Sequence, residues 1–328
     1  MPELRRDPTT GNWVIVAAER ASRPGSEPRR TDTPPGGQHD PSCPFCAGNE
    51  ALTPPEIARR PETGAWVARV VPNKYPALVP EPTAIDRPTD DLHIHAAAMG
   101  HYEVIVEGPT HHPERHDPAT LLEVFLAAQD RCKAFAEDVR LESFALFKNY
   151  GVSAGASLIH PHWQLAAMPL VPHALQRILE VSRVYRESHG RSLYHDLVRS
   201  EVEDGSRVVG MNAGFVAAAP YAPQWSGEVW MLPRAGAQHF SDVDLPNLHE
   251  FAELLAETLD RVTRAFGDPD YNVVVLTAPL RRPADASFSW HARIQPRITV
   301  QGGFESYSGM AITVLAPERT AELLREVD

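Results

Sequence analysis

The sequence is poor in cysteine, in long apolar segments and in positive charge, and each shortage argues against a class of protein. Three cysteines among 328 residues are an odd and sparse number, and no apolar signal peptide opens the chain, so we expect a reduced, cytoplasmic protein. The chain has no apolar run of about 18 residues, so no membrane span is expected. A net charge of -12 argues against general nucleic-acid binding.

The composition is that of a folded protein with a substantial core. The apolar content of 43% and the aromatic content of 8% can fill that core, and the length suits two domains or one doubled domain. An anionic substrate would need a local basic pocket in so acidic a chain. Arg20 and Arg23 are candidates for such a pocket, although arginines of this kind are also commonly solvated surface charges.

The segment from Asn149 to Gln164 carries the strongest chemical signal. His160, His162 and Gln164 alternate along it, and in an extended segment alternate side chains share one face. A neutral imidazole can attack phosphorus, and a neutral amide can hold a phosphoryl oxygen without adding negative charge. An isolated His-x-His could also be a surface turn. The run of small residues before this one and the glutamine after it favour phosphoryl chemistry.

A pair of cysteines, Cys43 and Cys46, adds a second signal. In a reduced compartment this spacing is typical of a metal or redox site, and the Pro-, Gly- and Asp-rich surroundings suit zinc better than a thioredoxin-like site. Tetrahedral zinc needs two further ligands, for which His160 and His111 are candidates. Cys132 lies in a predicted amphipathic helix and is expected to be a buried apolar residue.

The chain contains a repeat. From Glu103 the order is a strand, a histidine, an amphipathic helix, a strand followed by Asn149, and then a histidine segment. The same order recurs from Glu228, with Asn272 in place of Asn149 at nearly the same spacing. This pattern predicts an α+β fold with two antiparallel sheets, each packed with a helix on one face. We expect halves at residues 1–170 and 171–328. Only the first half keeps the His-Pro-His-x-Gln core, so the second is expected to be structural or a substrate lid.

Further motifs extend these signals over essentially the whole chain. They are Arg5 to Val16, Val71 to Leu78 and Gly302 to Glu305. Together with the cysteine pair and the histidine segment, they make the chain resemble the galactose-1-phosphate uridylyltransferases of the histidine-triad superfamily. It resembles most the branch that includes ADP-glucose phosphorylase. The resemblance implies a duplicated histidine-triad-like fold and a homodimer.

The resemblance also implies a site. Zinc would be held by Cys43, Cys46, His111 and His160. His162 would attack the α-phosphorus of a nucleotide sugar and form a nucleotidyl-histidine, while Gln164 hydrogen-bonds the transferred group. The implied substrate contacts are Arg20, Arg23, Phe45, Asn73, Asn149, Ser157, Phe304 and Glu305.

Several positions depart from the family pattern. A second metal site of some relatives uses His-x-His, which here reads His291-Ala-Arg293, so a second metal is not expected. Hydrolytic relatives carry a third histidine where Gln164 stands. The absence of that ionisable histidine in this chain should disfavour water activation. The segment from Phe304 to Gly309 follows the phosphorylase branch, so the sugar cannot be inferred from the family. Trp163 is bulkier than usual, and either packs in the core or narrows the acceptor site.

The sequence therefore predicts an enzyme that exchanges a nucleoside monophosphate between a nucleotide sugar and a sugar 1-phosphate. UMP transfer between UDP-glucose or UDP-galactose and galactose 1-phosphate is the leading hypothesis. One alternative is a phosphorylase that uses inorganic phosphate on ADP-glucose or a similar donor. Another is an inactive nucleotide-binding zinc protein, which would need neither His162 nor Gln164.

Overall fold

The protein, analysed as a computed structural model, is described here for residues 1–22, 37–83, 90–281 and 286–327. It contains a ten-stranded antiparallel sheet and a small three-stranded sheet. The strands are β1 (Glu3–Arg6), β2 (Trp13–Val16), β3 (Ala58–Arg60), β4 (Ala68–Pro72), β5 (His101–Glu107), β6 (Ser143–Tyr150), β7 (His162–Met168), β8 (Val208–Met211), β9 (Phe215–Ala218), β10 (Val229–Pro233), β11 (Tyr271–Leu276), β12 (His291–Pro296) and β13 (Ala311–Thr313). The helices are α1 (Pro118–Glu137), α2 (His173–His189), α3 (Leu193–Asp204), α4 (Leu245–Phe266), α5 (Gly303–Ser308) and α6 (Pro317–Glu326).

The large sheet shows the predicted repeat in its strand order. From one edge to the centre the order is β3-β4-β5-β7-β6, and from the other edge to the centre it is β8-β9-β10-β12-β11. The predicted α+β class is confirmed. The two expected sheets are continuous because β6 pairs with β11, with Asn149 opposite Asn272. This pairing satisfies the backbone groups that two separate sheets would leave open at their edges.

The two long helices begin and pack as their sequences indicate. Asp117 caps α1 by accepting hydrogen bonds from two backbone N–H groups of the first turn, and Pro118 follows it. Asp244 caps α4 by accepting a hydrogen bond from one backbone N–H group, that of Asn247. Their apolar stripes meet on one face of the sheet, where the rings of Phe125 and Phe251 lie 4.9 Å apart. Cys132 is buried in this core, as predicted, and burial raises the pKa of its thiol to about 11.

The other face of the sheet is covered differently in its two halves. Helices α2 and α3 pack over the half formed by β8 to β12, where they bury Tyr194 against Trp230 and Phe288. Over β4 and β5 lies the loop that carries Cys43 and Cys46. This loop covers less of its half than the two helices do, so a cleft remains beside β7. Among the described helices, none is long and apolar enough to cross a membrane.

Candidate active site and metal centre

Four buried side chains form a compact group beside the cleft. The ligand atoms of Cys43, Cys46, His111 and His160 all lie within 4.8 Å of one another. The Sγ atom of Cys46 is 3.4 Å from Nδ1 of His111 and 3.6 Å from Nδ1 of His160. Two thiols and two imidazoles at this spacing form a donor set that could hold a metal ion.

A backbone hydrogen bond sets which nitrogen of His160 faces this group. A carbonyl oxygen can only accept, so Nε2–H of His160 donates to the carbonyl of Gly108 at 2.9 Å. The remaining nitrogen, Nδ1, therefore keeps its lone pair and faces the thiols. His111 follows β5, whereas His160 precedes β7, and these strands pair with each other. The pairing brings together two histidines that are far apart in the sequence.

His162, the first residue of β7, lies between the group of two cysteines and two histidines and the cleft. Its Nδ1–H donates to the carbonyl of His160 at 2.9 Å, which leaves Nε2 unprotonated. The residue is 6% exposed, and burial lowers the pKa of His162 below its ordinary value. The ring of Phe45 lies 5.3 Å away. A neutral imidazole with a free Nε2 on a cleft wall is suited to nucleophilic attack.

Gln164 lies two residues further along β7 and is held by a tyrosine. The hydroxyl of Tyr102 on β5 donates to Oε1 of Gln164 at 2.8 Å, so the amide presents its amino group to the cleft. Burial raises the pKa of Tyr102, which keeps the hydroxyl protonated. Sequence reasoning missed Tyr102. Alternation along the predicted strand places it on the face of Val104, but does not indicate which strand lies beside it.

The cleft is about 590 Å³ in volume, which is ample for a nucleotide. It brings together four of the eight residues predicted to contact substrate and the two residues predicted to be catalytic. The four contacts are Phe45, Asn73, Asn149 and Ser157, and the catalytic pair is His162 and Gln164. Lys74, Tyr75 and Tyr102 also line it, and none of these three was predicted to do so.

The loop between β6 and β7 is anchored by an aspartate. Asp270 accepts hydrogen bonds from the backbone N–H and the hydroxyl of Ser153, both at 2.6 Å. Gly151 has a φ of 81°, and a Cβ there would lie 1.8 Å from Oδ1 of Asp270. Only glycine lets the chain pass this carboxylate. The loop is thereby placed so that Gly155 and Ser157 line the cleft.

Arg20, Phe304 and Glu305 do not line the cleft of this chain. Arg20 is exposed and lies in a short 3-10 helix, Ala18–Ser22. Phe304 and Glu305 lie on α5, where Glu305 accepts a hydrogen bond from the backbone of Gly302. Arg23 is outside the described residues. The substrate contacts of these four residues stay predictions.

Trp163 points away from the cleft. It is fully buried on the helix side of the sheet, where its ring meets Phe125 and its Nε1–H donates to Glu107 at 2.7 Å. Lys148 donates to the same carboxylate at 2.6 Å. Of the two roles considered for Trp163, the structure therefore supports core packing and not a narrowed acceptor site.

Comparisons with known proteins show the family of this chain. Residues 1–172 match the family model described as galactose-1-phosphate uridyl transferase, N-terminal domain. The chain is 31% identical to the ADP-glucose phosphorylase of Arabidopsis thaliana, with 99% of this chain and 93% of that one covered. It is 25% identical to a galactose-1-phosphate uridylyltransferase of Haemophilus influenzae, with 99% and 94% covered.

Solved structures are similar to this chain over nearly its whole length. The crystal structure of the Arabidopsis thaliana ADP-glucose phosphorylase with bound ADP-glucose superposes with a TM-score of 0.84 at 30% identity, over the full length of both chains. A uridylyltransferase structure superposes with a TM-score of 0.77 at 25% identity, over 99% of this chain and 98% of that one.

Proposed function

This chain belongs to the galactose-1-phosphate uridylyltransferase family, and on that basis we propose that it transfers a nucleoside monophosphate through His162. The donor is a nucleotide sugar and the acceptor is a hexose 1-phosphate. In the leading form of the proposal, UMP passes between UDP-glucose or UDP-galactose and galactose 1-phosphate. The observation that carries the proposal is the geometry of His162 beside the cleft: Nδ1–H donates to the carbonyl of His160, and Nε2 has no hydrogen-bond partner among the described residues.

The transfer takes two displacements at one phosphorus atom. The Nε2 lone pair attacks the α-phosphorus, an N–P bond forms, and the sugar 1-phosphate leaves with the electron pair of the broken P–O bond. A phosphate oxygen of the acceptor then attacks the same phosphorus, and the N–P electrons return to Nε2. The carbonyl of His160 holds Nδ1–H throughout and stabilises the positive charge on the substituted ring.

The cleft residues supply complementary contacts in this proposal. The amino group of Gln164, directed by Tyr102, donates to an oxygen of the transferred group. Asn149 and Ser157 contact the phosphates. Phe45 and Asn73 contact the nucleoside. Positioned neutral donors stabilise the phosphoryl charge while leaving it open to an anionic acceptor.

The metal in this proposal is zinc, held by two cysteines and two histidines. Zinc would supply structural rigidity and not reaction chemistry, because all four ligands come from the protein. His160 would be one ligand, and its carbonyl accepts the hydrogen bond of His162. Bound zinc would therefore hold the backbone that orients His162, and in-line attack on phosphorus depends on such placement.

We also propose the division into halves at residues 1–170 and 171–328, with the active site in the first. The mirrored strand order supports it. The expected homodimer stays a prediction, which sedimentation analysis of the purified protein can test.

A second candidate is phosphorolysis of ADP-glucose, with inorganic phosphate as the acceptor. Three observations favour it. Identity is 31% to the Arabidopsis thaliana ADP-glucose phosphorylase but 25% to the Haemophilus influenzae uridylyltransferase. The TM-scores are 0.84 and 0.77 for the phosphorylase and uridylyltransferase structures, respectively. The segment from Phe304 to Gly309 also follows the phosphorylase pattern.

Intact-mass measurement separates these candidates. The protein is mixed with UDP-glucose or with ADP-glucose and no acceptor, and the mass gained identifies the nucleoside monophosphate. The adduct is then chased with galactose 1-phosphate or with inorganic phosphate, and the acceptor that removes it identifies the reaction. No adduct with any nucleotide sugar would refute both candidates and favour an inactive binding protein.

A further inference from the structure

Two asparagine amides are hydrogen-bonded to each other where the two halves of the sheet pair, and one of them lines the cleft. Asn149 on β6 lies directly opposite Asn272 on β11 in the sheet register. The Nδ2 group of Asn272 donates to Oδ1 of Asn149 at 2.8 Å and to the carbonyl of Ala154 at 2.8 Å. The two asparagines of the sequence repeat therefore meet, and the one in the second half contacts the one in the first.

The orientation of the Asn272 amide is imposed by an arginine. Nε of Arg297 donates to Oδ1 of Asn272 at 2.7 Å, and a second guanidinium nitrogen donates to the same oxygen. The guanidinium group lies 3.6 Å from the ring centroid of Trp225, which holds it in place. Because a guanidinium can only donate, Asn272 must turn its oxygen to Arg297 and its amino group to Asn149.

This arrangement decides which end of the Asn149 amide meets a ligand. Oδ1 of Asn149 is occupied by Asn272, so the amino group lies on the side of Gly155, where a Cβ would be 3.6 Å from Nδ2. Within the described part of the chain, that Nδ2 donates to no protein acceptor. Both Asn149 and Gly155 line the cleft. An amino group suits an anionic ligand, whereas the amide oxygen would repel one.

We propose that Asn272, held by Arg297, is a positioning residue that turns the N–H groups of Asn149 toward the phosphoryl group of the substrate. The proposal rests on the proposed function for the identity of that ligand. It gives the second half a direct part in the reaction, although that half lacks the His-Pro-His-x-Gln core. Asn272 does not line the cleft and would act through Asn149.

The Asn272→Asp variant tests this role with little change in shape. An aspartate keeps an oxygen for Arg297 and loses the donor to Asn149. Asn149 can then donate to the new carboxylate, which turns its own oxygen toward the phosphates. We expect affinity for UDP or ADP, measured by calorimetry, to fall about tenfold, as for loss of one hydrogen bond to a charged group. Affinity for uridine or adenosine, which lack phosphate, should stay within about twofold of wild type.

Two further variants separate this role from a purely structural one. Asn272 also holds the loop through the carbonyl of Ala154, so Asn272→Asp is repeated in an Asn149→Ala background. If Asn272 acts through Asn149, adding Asn272→Asp to Asn149→Ala should not lower the affinity for UDP or ADP any further. Asn212→Asp is the matched control. It removes an amide donor to the carbonyl of Glu250, in the second half and away from the cleft, and should bind like wild type.

Three results would overturn the positioning role. They are an equal loss of nucleoside and diphosphate affinity in Asn272→Asp, a full additional loss in the Asn149→Ala background, and unchanged diphosphate binding in Asn272→Asp. If the wild type forms a nucleotidyl adduct and the variants give one of these results, only the positioning role is contradicted. A wild type that binds no UDP or ADP overturns the proposed function together with it.

Discussion

The two halves of the sheet place a histidine at equivalent positions and use it in opposite ways. His162 begins β7 and His291 begins β12. Each donates its Nδ1–H to the carbonyl two residues earlier, at 2.9 Å for His162 and 3.0 Å for His291. The Nε2 of His162 is beside the cleft, whereas that of His291 accepts a hydrogen bond from Nε of Arg293 at 3.1 Å.

The surroundings of the two rings explain the difference. The rings of Tyr194, Trp230 and Phe288 lie 5.1 to 6.0 Å from His291 and leave it fully buried. Tyr194 belongs to α3, so the helices over the second half fill the space that is a cleft in the first. The same backbone hydrogen bond is therefore compatible with the proposed nucleophile only in the first half, where no donor or covering ring among the described residues blocks Nε2.

Removal of the first histidine should have the largest effect. We expect His162→Gly to slow formation of the nucleotidyl adduct by roughly 10⁴-fold or more, because no other group can form the covalent intermediate. Added imidazole should restore donor cleavage and yield a free nucleotidyl-imidazolide. Mass spectrometry of wild type and variant after mixing with each nucleotide sugar checks this. An adduct on His162→Gly at the wild-type rate would contradict the covalent role.

Loss of the metal site should come next, and it concerns the first half alone. Cys43→Ser should lower zinc content from about one per chain and destabilise the protein. The free energy of unfolding should fall by about 4 kcal/mol if the free zinc concentration is 1,000 times its Kd. Elemental analysis and thermal unfolding check this result. Cys132→Ala, whose thiol lies in the core of α1, should keep its zinc. Folded wild type without zinc would contradict the metal assignment.

The second histidine should instead give a pH-dependent stability. Burial, and after it the charge of Arg293, lower the pKa of His291 to about 3. Below pH 6.5, His291 therefore binds a proton in the unfolded chain but stays unprotonated in the folded chain. The free energy of unfolding then falls as pH falls toward 3. His291→Gln should be less stable than wild type at pH 7. This gap, the difference between their free energies of unfolding, should narrow by at most about 1.4 kcal/mol per pH unit below 6.5.

Denaturant unfolding of wild type and His291→Gln between pH 7 and 4.5 measures that gap. His291→Gln should still form the nucleotidyl adduct at pH 7. A gap that stays constant with pH would show that His291 titrates normally in the folded protein.

The tyrosine behind Gln164 should have a smaller effect. Tyr102→Phe frees the Gln164 amide to turn its oxygen toward the phosphoryl group, and we expect transfer to slow by about tenfold. Single-turnover adduct formation measures the rate. Tyr150→Phe is a matched control, because that hydroxyl donates to Asp268 outside the cleft. Equal rates for Tyr102→Phe and wild type would mean that Gln164 is oriented by something else.

The smallest effect is expected at Arg20. It is exposed, so a contact with the donor phosphates should be screened by solvent and contribute at most about 1 kcal/mol. Arg20→Ala should raise the KM of the nucleotide sugar a few-fold, and the difference from wild type should shrink as salt rises. An unchanged KM at low salt would identify Arg20 as a surface charge.

Much of the fold and of the site was predictable, because the signals are local. Asp117 and Pro118 indicated where α1 begins, and the apolar spacing indicated its buried face. Alternation placed His162 and Gln164 on one face. The pair Cys43 and Cys46 indicated a metal site, and its two histidine partners at His111 and His160 were implied by the family resemblance.

The remaining features depend on contacts between distant segments, and no local pattern contains them. The pairing of β6 with β11 joins two halves that the sequence presents as separate sheets. Tyr102 donates to Gln164, 62 positions further along the chain, and Asn272 donates to Asn149 from 123 positions away.

The sequence by itself therefore determined which residue types could do the chemistry and which elements carry them. The tertiary structure decided which end of each amide faces the cleft and which histidine has a free Nε2. Such orientations depend on hydrogen-bond partners that meet only when the strands are side by side.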